Sequence, residues 1–587
     1  MNTLVTTLQD IKDNAAYDVV VVGAGGAGMS AALFAAIEGA KVLLVECTET
    51  VGGTTAWSAG TTWVPGTHHS AAVNPQDTLA DAARYLTNAI GDRTSEALRH
   101  AFLDHGAAAV QYVEENSDLQ YRPYPRHPDY ISDLEGSTLN GRALEPLPFD
   151  GRLLGDLFKL VRPPIPEFTV LGGMMVDRTD INHLLARTQT LASFLYTAKI
   201  LLRHVSDRIR YPRGTRLVMG NALVGRLLYS LSKRPNVSLL METSVESLVH
   251  TGKGVESVVL TQSGQRRTIQ VTGGVVLASG GFNRHPALRQ SMLPGARMEW
   301  CPAAPGHTGK AHDLALGLGA HYGTGGLSHS FWAPVSLRKR ADGSTGVFPH
   351  FAMDRAKPGM LTVNQAGVRF VNESTSYHLF GLAMQEANKS NPAIPAYLIC
   401  DAQALFKYGI GMVRPGAKAG DSSTTEFLAD GYLTMGNTLE ELAHKLGINA
   451  AGLERSARQM ADYAATGVDP DFHRGVTAYQ RNMGDATWTG KNPNLGALTQ
   501  APYFAVKLYP GDIGASTGLA TDTEARVLGE TKEPIPGLYA VGNDMHSIMG
   551  GVYTAPGITI GPGLVFGYIA SRHAVARSRQ AVRPAGQ

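Results

Sequence analysis

The stretch GGVYTAPGITIG, Gly550 to Gly561, sets a phenol four residues ahead of Gly557, at the mouth of what reads as a helix. Tyr553 can donate a hydrogen bond or exchange a proton, and glycines ahead of a helix let a ligand approach backbone N–H groups. Near the other end of the chain, GAGGAG places Gly23, Gly25 and Gly28 in GxGxxG register, with Gly26 and Ala27 inside it. Gly23 permits a tight turn, Gly25 lets a pyrophosphate touch backbone, and Gly28 lets helix and strand pack closely. Glu46, eighteen residues beyond Gly28, is spaced to accept from ribose hydroxyls. The positioning elements are legible around these groups. YDVVVV, Tyr17 to Val22, reads as a buried strand, MSAALFAAIEG as a helix, and Lys41 to Val45 as a second strand. Their order predicts a dinucleotide site.

The bulk composition narrows the rest. A chain of 587 residues predicts two to four lobes. With 52 Lys and Arg against 50 Asp and Glu, no field points to nucleic acid. Three cysteines, Cys47, Cys301 and Cys400, form no CxxC pair, which argues against a disulfide framework or an iron–sulfur site and suits a reducing cytoplasm. Adjacent His68 and His69 are poorly placed to share a metal, so no metal site is expected. The N-terminus lacks the basic and apolar regions of a secretory signal, and no apolar run is long enough to span a membrane. LASFLYTAKILLRHV, Leu191 to Val205, has apolar residues at helical spacing and reads as a buried core helix rather than a surface-binding one. The expected location is cytoplasmic, and loose membrane association stays open.

After Glu46 comes CTETVGGTTAWSAGTTWVPG, where a Gly52-Gly53 pair with Thr54, Thr55 and Ser58 extends the phosphate cradle towards a flavin ring. A simple NAD domain has no use for this second loop. The stretch resembles flavoproteins of the fumarate reductase and 3-ketosteroid dehydrogenase superfamily. No histidine lies between Cys47 and Gly66, so the resemblance implies non-covalent FAD. VSLLMETSVESLVH reads as the strand whose end, near Val245, lies by the adenine. GGVVLASGGF is a strand entering the Gly280-Gly281 turn. PGLYAVGND is another, reaching Gly542, and the resemblance puts Asn543 or Asp544 near the ribityl chain. The helix marked by Pro562, Leu564, Val565, Tyr568 and Ile569 follows, and its N-terminus, with Gly557, Thr559 and Ile560, is expected at the N1/O2 edge of the flavin. No second GxGxxG occurs, so electrons pass to a separate carrier such as a quinone or an artificial dye.

The expected fold is α/β: a Rossmann-like FAD-binding domain of the glutathione-reductase type, residues 1–285 and 515–587, with an inserted α+β substrate-capping domain, 286–514. Within the insertion, MLTVNQAGVRFVNES reads as two strands about a Gln365-Ala366-Gly367 turn. TLEELAHKLGINAAGLERSARQMADYA reads as two helices, the first running from Asn437-Thr438 to Gly447.

The Y-x-x-x-G of the C-terminal loop resembles that of 3-ketosteroid Δ1-dehydrogenases, which implies that the Tyr553 phenol and the Gly557 N–H hold a 3-keto oxygen. Two further tyrosines of that family have counterparts here. FVNESTSY supplies Tyr377, and a D-Y segment upstream of GRALEPLPF, Gly141 to Phe149, supplies Tyr130. Thr554-Ala555 departs from the family's Pro-Gly. The implied reaction is 3-ketosteroid 1(2)-dehydrogenation: Tyr377 takes the α-proton as tyrosinate, Tyr130 helps it ionise and relays the proton, and the β-hydride goes to flavin N5. The same residues serve desaturation of a smaller ring, cyclohexanone or 4-oxocyclohexanecarboxylate, and a Δ4-dehydrogenase. Trp332, Phe348 and Met353 are candidates to line an apolar cleft. A fumarate-type reductase is disfavoured, because Ser376-Tyr377 and Val552-Tyr553-Thr554 stand where that class carries carboxylate-clamping residues. A flavin-binding protein without catalysis would hold a flavin that no ketone bleaches.

Overall fold

The structure, a computed structural model, describes residues 4–351 and 354–582; Met353 lies outside them. Strand β1 (Ala15–Val22) runs into Gly23, whose φ of +104° and missing Cβ, 2.4 Å from the Ala278 carbonyl oxygen, admit only glycine. Helix α1 (Gly26–Ile37) is buried along most of its length and lies so close to the turn that a Cβ on Gly28 would stand 1.9 Å from the Gly23 carbonyl oxygen. Strand β2 (Val42–Val45) pairs in parallel with β1 and delivers Glu46.

Leu191 to Val205 lies in a helix, α2 (Leu191–Arg210), but not in a core. The reading as a buried core helix is overturned: Leu191, Phe194, Leu195, Leu202 and Val205 are exposed, while Ser193, Thr197, His204 and Asp207 are buried. Polar contacts fix the inner face. Asp207 accepts from the Thr215 N–H and hydroxyl, both at 2.8 Å, and His204 Nε2 lies 3.0 Å from the Leu171 carbonyl oxygen.

The strand read through VSLLMETSVESLVH is two. β3 (Val237–Leu240) pairs in parallel with β2, and β4 (Ser244–Thr251) starts an antiparallel meander with β5 (Gly254–Gln262) and β6 (Gln265–Leu277). Between them Glu242 is left-handed (φ +49°), and the Glu242 and Thr243 N–H groups donate to the Thr48 and Glu46 carbonyls, which ends the ladder. β6 returns to pair with β1.

The second sheet comprises β7 (Ser330–Lys339), β8 (Thr345–Pro349), β9 (Met360–Val363), β10 (Ala396–Cys400), β11 (Thr434–Gly436) and β12 (Tyr503–Ala515). Helix α3 (Tyr377–Ser390) packs on β7. α4 (Leu439–Leu446) starts at Thr438, whose side chain accepts from the Glu441 N–H, and stops at left-handed Gly447, as its sequence predicts; α5 (Ala450–Thr466) follows. The expected strand after Gly367 is absent. Its backbone is held by side chains instead: Asn364 caps Val368, and Arg369 pairs with Glu373 and Asp469 inside the core.

β13 (Arg526–Leu528) and β14 (Pro534–Ala540) bring the chain back, β14 pairing in parallel with β6. Helix α6 (Ile560–Val582) then packs on α1, with the Ser571 hydroxyl donating to the Ala31 carbonyl at 2.7 Å. The carboxyl ends of β2, β1, β6 and β14 therefore open side by side under the second sheet.

Candidate active site

A cavity of about 920 Å³ lies at those strand ends, the crevice where open α/β sheets hold ligands. The first glycine turn contributes Gly23, Gly25, Gly26 and Ala27 to its wall; the β2 end and second loop contribute Glu46, Gly53, Thr54, Thr55 and Ser58. Val245 and Gly280 line it further along, and Gly542, Asn543, Gly557, Thr559 and Ile560 close it from the C-terminal side. Gly28, Gly281 and Asp544 stand behind the wall. Asp544 is fully buried, accepting from the Ser279 and Gly281 N–H groups at 2.5 and 2.7 Å and facing His312 Nε2 at 3.2 Å. It therefore fixes the Gly280 turn, and Asn543 alone of the pair faces the cavity. Glu46 is partly engaged as well, since it accepts from the Ala24 and Thr48 N–H groups at 2.9 Å each.

The wall suits a dinucleotide. A Cβ at Gly25 would meet nothing within 4 Å, and no acceptor among the described residues takes the Thr559 and Ile560 N–H groups at the start of α6. His307, which the sequence reading missed, lies with Nε2 3.2 Å from Thr54 Oγ1; its Nδ1 is buried and unpartnered. Burial pushes this imidazole down to about 4, so it is neutral at pH 7. The signal available was PGHTGK, another glycine-bounded turn.

At the other end stand the three tyrosines. The Tyr130 hydroxyl donates to that of Tyr377 at 3.3 Å. The Tyr377 and Tyr553 rings meet edge to face at 4.9 Å, and Tyr130 stacks on Tyr553 at 5.7 Å. A fourth phenol, Tyr479, also lines the cavity with its ring 4.8 Å from Tyr130; no motif marked it. Gly557 has φ +91°, and a Cβ there would stand 2.4 Å from the Thr61 carbonyl oxygen. No acceptor among the described residues takes its N–H. Burial, followed by the neighbouring phenols Tyr130 and Tyr553, pushes Tyr377 well above the ordinary tyrosine value. Burial outweighs the hydrogen bond that Tyr130 donates, which by itself favours the ionised phenol. Position favours the anion too: Tyr377 is the first residue of α3, at the positive end of the helix.

Trp332 and Phe348 do not line the cavity; Phe331, Pro349 and Phe351 do. Alternate residues of a strand face opposite sides, so naming the neighbour on β7 and β8 selects the wrong face.

The motif residues around the tyrosines act as anchors. Asp129, next to Tyr130, accepts from Trp63 Nε1 at 2.9 Å and Arg142 at 2.8 Å, and Arg142, from GRALEPLPF, also grips Asp77. The Thr554 carbonyl accepts from the Tyr130 N–H at 2.8 Å and the Tyr85 hydroxyl at 2.5 Å, tying the two tyrosine segments together. Buried His378 accepts from the Trp332 N–H at Nδ1 and donates from Nε2 to the Gly551 carbonyl at 2.9 Å, which locks α3 to the Tyr553 loop. Replacing Arg142 with Leu would leave Asp77 and Asp129 buried without a counter-charge. The expected loss is about 3–5 kcal/mol in unfolding free energy, read from urea titrations; a loss below 1 kcal/mol, on the order of a surface pair, refutes the anchoring role.

His68 and His69, read as poorly placed to share a metal, converge on Glu114, with Nε2 atoms 3.2 and 3.0 Å from one carboxylate oxygen and one ligand atom from each of the three residues within 4.8 Å of the others, a spacing that could hold an ion. The carboxylate also accepts from the Tyr121 N–H at 2.8 Å and so ties the end of the Glu96–Asn116 helix to the Tyr121–Pro123 strand.

The family described as FAD binding domain matches residues 18–560. A 4-oxocyclohex-2-ene-1-carboxylate 5-dehydrogenase of Sinomonas cyclohexanicum is 37% identical over 95% of this chain and 93% of its own. A 3-oxosteroid 1-dehydrogenase of Mycolicibacterium smegmatis is 34% identical over 94% of this chain and 96% of its own. The crystal structure of 3-ketosteroid delta1-dehydrogenase from Sterolibacterium denitrificans, in complex with 1,4-androstadiene-3,17-dione, superposes with a TM-score of 0.88 at 34% identity, covering 96% of this chain and 99% of that one. With a family match over most of its length and relatives of this identity along nearly the whole chain, the chain belongs to the 3-ketosteroid Δ1-dehydrogenase family of FAD-dependent oxidoreductases that act on CH–CH groups.

Proposed function

We propose that the chain introduces the 1(2) double bond into a 3-ketosteroid. The observation that carries this reading is the chemistry of the tyrosine end of the cavity. Phe331 and Phe351 line the cavity edge to face with Tyr553 and Tyr377, at 5.0 Å each, and Met483 lines it from the helix that carries Tyr479. The cationic lining residues belong to the dinucleotide end: Arg162 bonds Thr48 beside Glu46, and the helix that starts at Lys310 packs against the strand of Val245. His127, the imidazole beside Tyr130, is pushed down to about 4 by burial and is neutral at pH 7. A substrate carboxylate would find no counter-charge among these side chains, and burying one unpaired is costly. A neutral apolar ketone meets no such penalty.

In this reading the Tyr553 hydroxyl and Gly557 N–H hold the carbonyl oxygen, Tyr377 removes the α-proton, and Tyr130 is its hydrogen-bonding partner. FAD, held by the glycine turns and the start of α6, supplies the hydride acceptor when bound. Electrons then leave to a separate carrier such as a quinone. The test is anaerobic mixing of the yellow enzyme with androst-4-ene-3,17-dione. Rapid bleaching with recovery of the 1,4-diene is expected. Bleaching by 4-oxocyclohexanecarboxylate but not by the steroid overturns the substrate assignment and leaves the reaction standing.

A further inference from the structure

His68, His69 and Glu114 do not line the flavin-side cavity, and the chemistry of the tyrosines makes no use of them. Among the described residues they form the one group of three histidine, cysteine or carboxylate side chains close enough to share an ion. Adjacent residues on a helix point about 100° apart, which is why the pair reads poorly as ligands. These two, however, are the first residues of a helix, His68–Val73, that Thr67 caps by accepting from the Ser70 N–H. Helical side chains lean towards the N-terminus. With no earlier turn to separate them, the two rings come together at 4.0 Å between centroids. Both Nε2 atoms then meet the same oxygen of Glu114, at 3.2 Å from His68 and 3.0 Å from His69. The other oxygen accepts from the Tyr121 N–H at 2.8 Å, which fixes the carboxylate in that orientation.

We propose that these three side chains bind a divalent transition-metal ion, zinc foremost, with solvent as the fourth ligand. Two imidazoles with a carboxylate suit zinc and its neighbours, whereas magnesium and calcium take oxygen donors. Two ligands of a tetrahedral zinc, bound at about 2.0–2.2 Å, stand about 3.3 Å apart. The two His–Glu contacts lie within a few tenths of an ångström of that edge. Hydrogen bonding alone is the competing account, and it asks two imidazole N–H groups to crowd onto one oxygen while their rings pack together. An ion replaces that crowding with three bonds to lone pairs that already converge. Exposure suits entry from solvent on one side: the His68 side chain is 53% exposed, while those of His69 and Glu114 are 16% and 9%. The Tyr121 N–H supplies the outer hydrogen bond that orients a ligating carboxylate.

The role this gives the ion is structural. Ser70, next to His69, donates to the Gly141 carbonyl at 2.6 Å, beside Arg142. The helix of Glu114 packs on α6, and the strand of Tyr121 runs on towards Tyr124 and His127 in the cavity wall. One ion thus cross-links two helices behind the segment that carries Tyr130. No ketone or flavin takes part, so the site stands or falls independently of the catalytic reading.

The test is equilibrium dialysis of the full-length FAD-loaded protein, stripped with chelator, against micromolar zinc chloride, with bound metal measured by plasma emission. One zinc per chain is expected, undisturbed by excess magnesium. His68→Ala removes the exposed ligand, and Glu114→Gln keeps an acceptor for the Tyr121 N–H. Each should weaken binding at least about tenfold, with FAD retained. Zinc should also raise the unfolding temperature of the wild type more than that of either variant. Absence of saturable uptake by the wild type overturns the proposal. Equal uptake by the wild type and His68→Ala overturns it too, since the zinc then sits elsewhere, and that exposed position keeps the test decisive even if Glu114→Gln fails to fold. Displacement of the zinc by magnesium also overturns it, because the ligands are then oxygens alone.

Discussion

Tyr377→Phe lowers the rate of flavin reduction by about 10²–10⁴-fold, the range for loss of a positioned general base. The substitution is close to isosteric. The ring packs edge to face between Phe351, at 5.0 Å, and Tyr553, at 4.9 Å, and phenylalanine keeps both contacts. What disappears is the hydroxyl and, with it, the partner that Tyr130 meets at 3.3 Å. The pH dependence identifies the role. Burial and the two neighbouring phenols raise the Tyr377 value above that of ordinary tyrosine, so the proton stays on throughout the neutral range. Only the ionised fraction can act as base, and that fraction grows tenfold per pH unit below the raised pKa. The wild-type rate constant should therefore climb with unit slope through pH 7–10 without a plateau, while the phenylalanine variant stays flat and retains its bound FAD. A variant within tenfold of wild type, or one that keeps the slope, would remove Tyr377 from the chemistry.

How much of this was legible in the sequence depends on what each residue type must do. The glycine turns could be read because a left-handed φ or a 2 Å backbone approach leaves glycine no substitute: Gly23, Gly28 and Gly557 each sit against a carbonyl oxygen. Helix α4 could be read because its start and stop are local, with Thr438 capping the Glu441 N–H and Gly447 left-handed. The failures share a cause, which is that sequence period reports a stripe but not what the stripe faces. α2 has the spacing of a core helix and turns that stripe outward, since Asp207 and His204 find their partners on the inside. Trp332 and Phe348 were each one residue from a lining position, and on a strand one residue reverses the face. The segment after Gly367 looked like a strand, yet its own Arg369 and Glu373 are held through buried charges by Asp469 and Arg474, about 100 residues on, which no local pattern encodes. Tyr130 could be named only by resemblance; what holds it in place is the Asp129–Arg142 pair beside it, which no local pattern marks.

Tyr553→Phe lowers turnover by about 10²–10³-fold, the usual result of removing one donor from a developing oxyanion. The phenol faces Tyr377 and Thr559, and the Gly557 N–H lies four residues on with no acceptor among the described residues, so two donors can meet one carbonyl oxygen. As the α-proton leaves, charge builds on that oxygen, and the hydrogen bond strengthens more in the transition state than in the ground state. The loss should then fall mainly on the maximal rate, with substrate affinity changed far less. Gly557→Ala cannot serve as the matching probe, because an alanine at φ +91° would also press on the Thr61 carbonyl oxygen at 2.4 Å and disturb the loop itself. Burial raises the Tyr553 value, with Tyr377 and Thr559 opposing, so the phenol keeps its proton at neutral pH and remains a donor there. It follows that Tyr553→Phe should retain the rising pH limb that Tyr377→Phe loses, each variant removing one half of the enolate chemistry. If Tyr553→Phe weakens affinity alone and leaves the maximal rate intact, the phenol only seats the ketone, and the developing charge must be met by the Gly557 N–H.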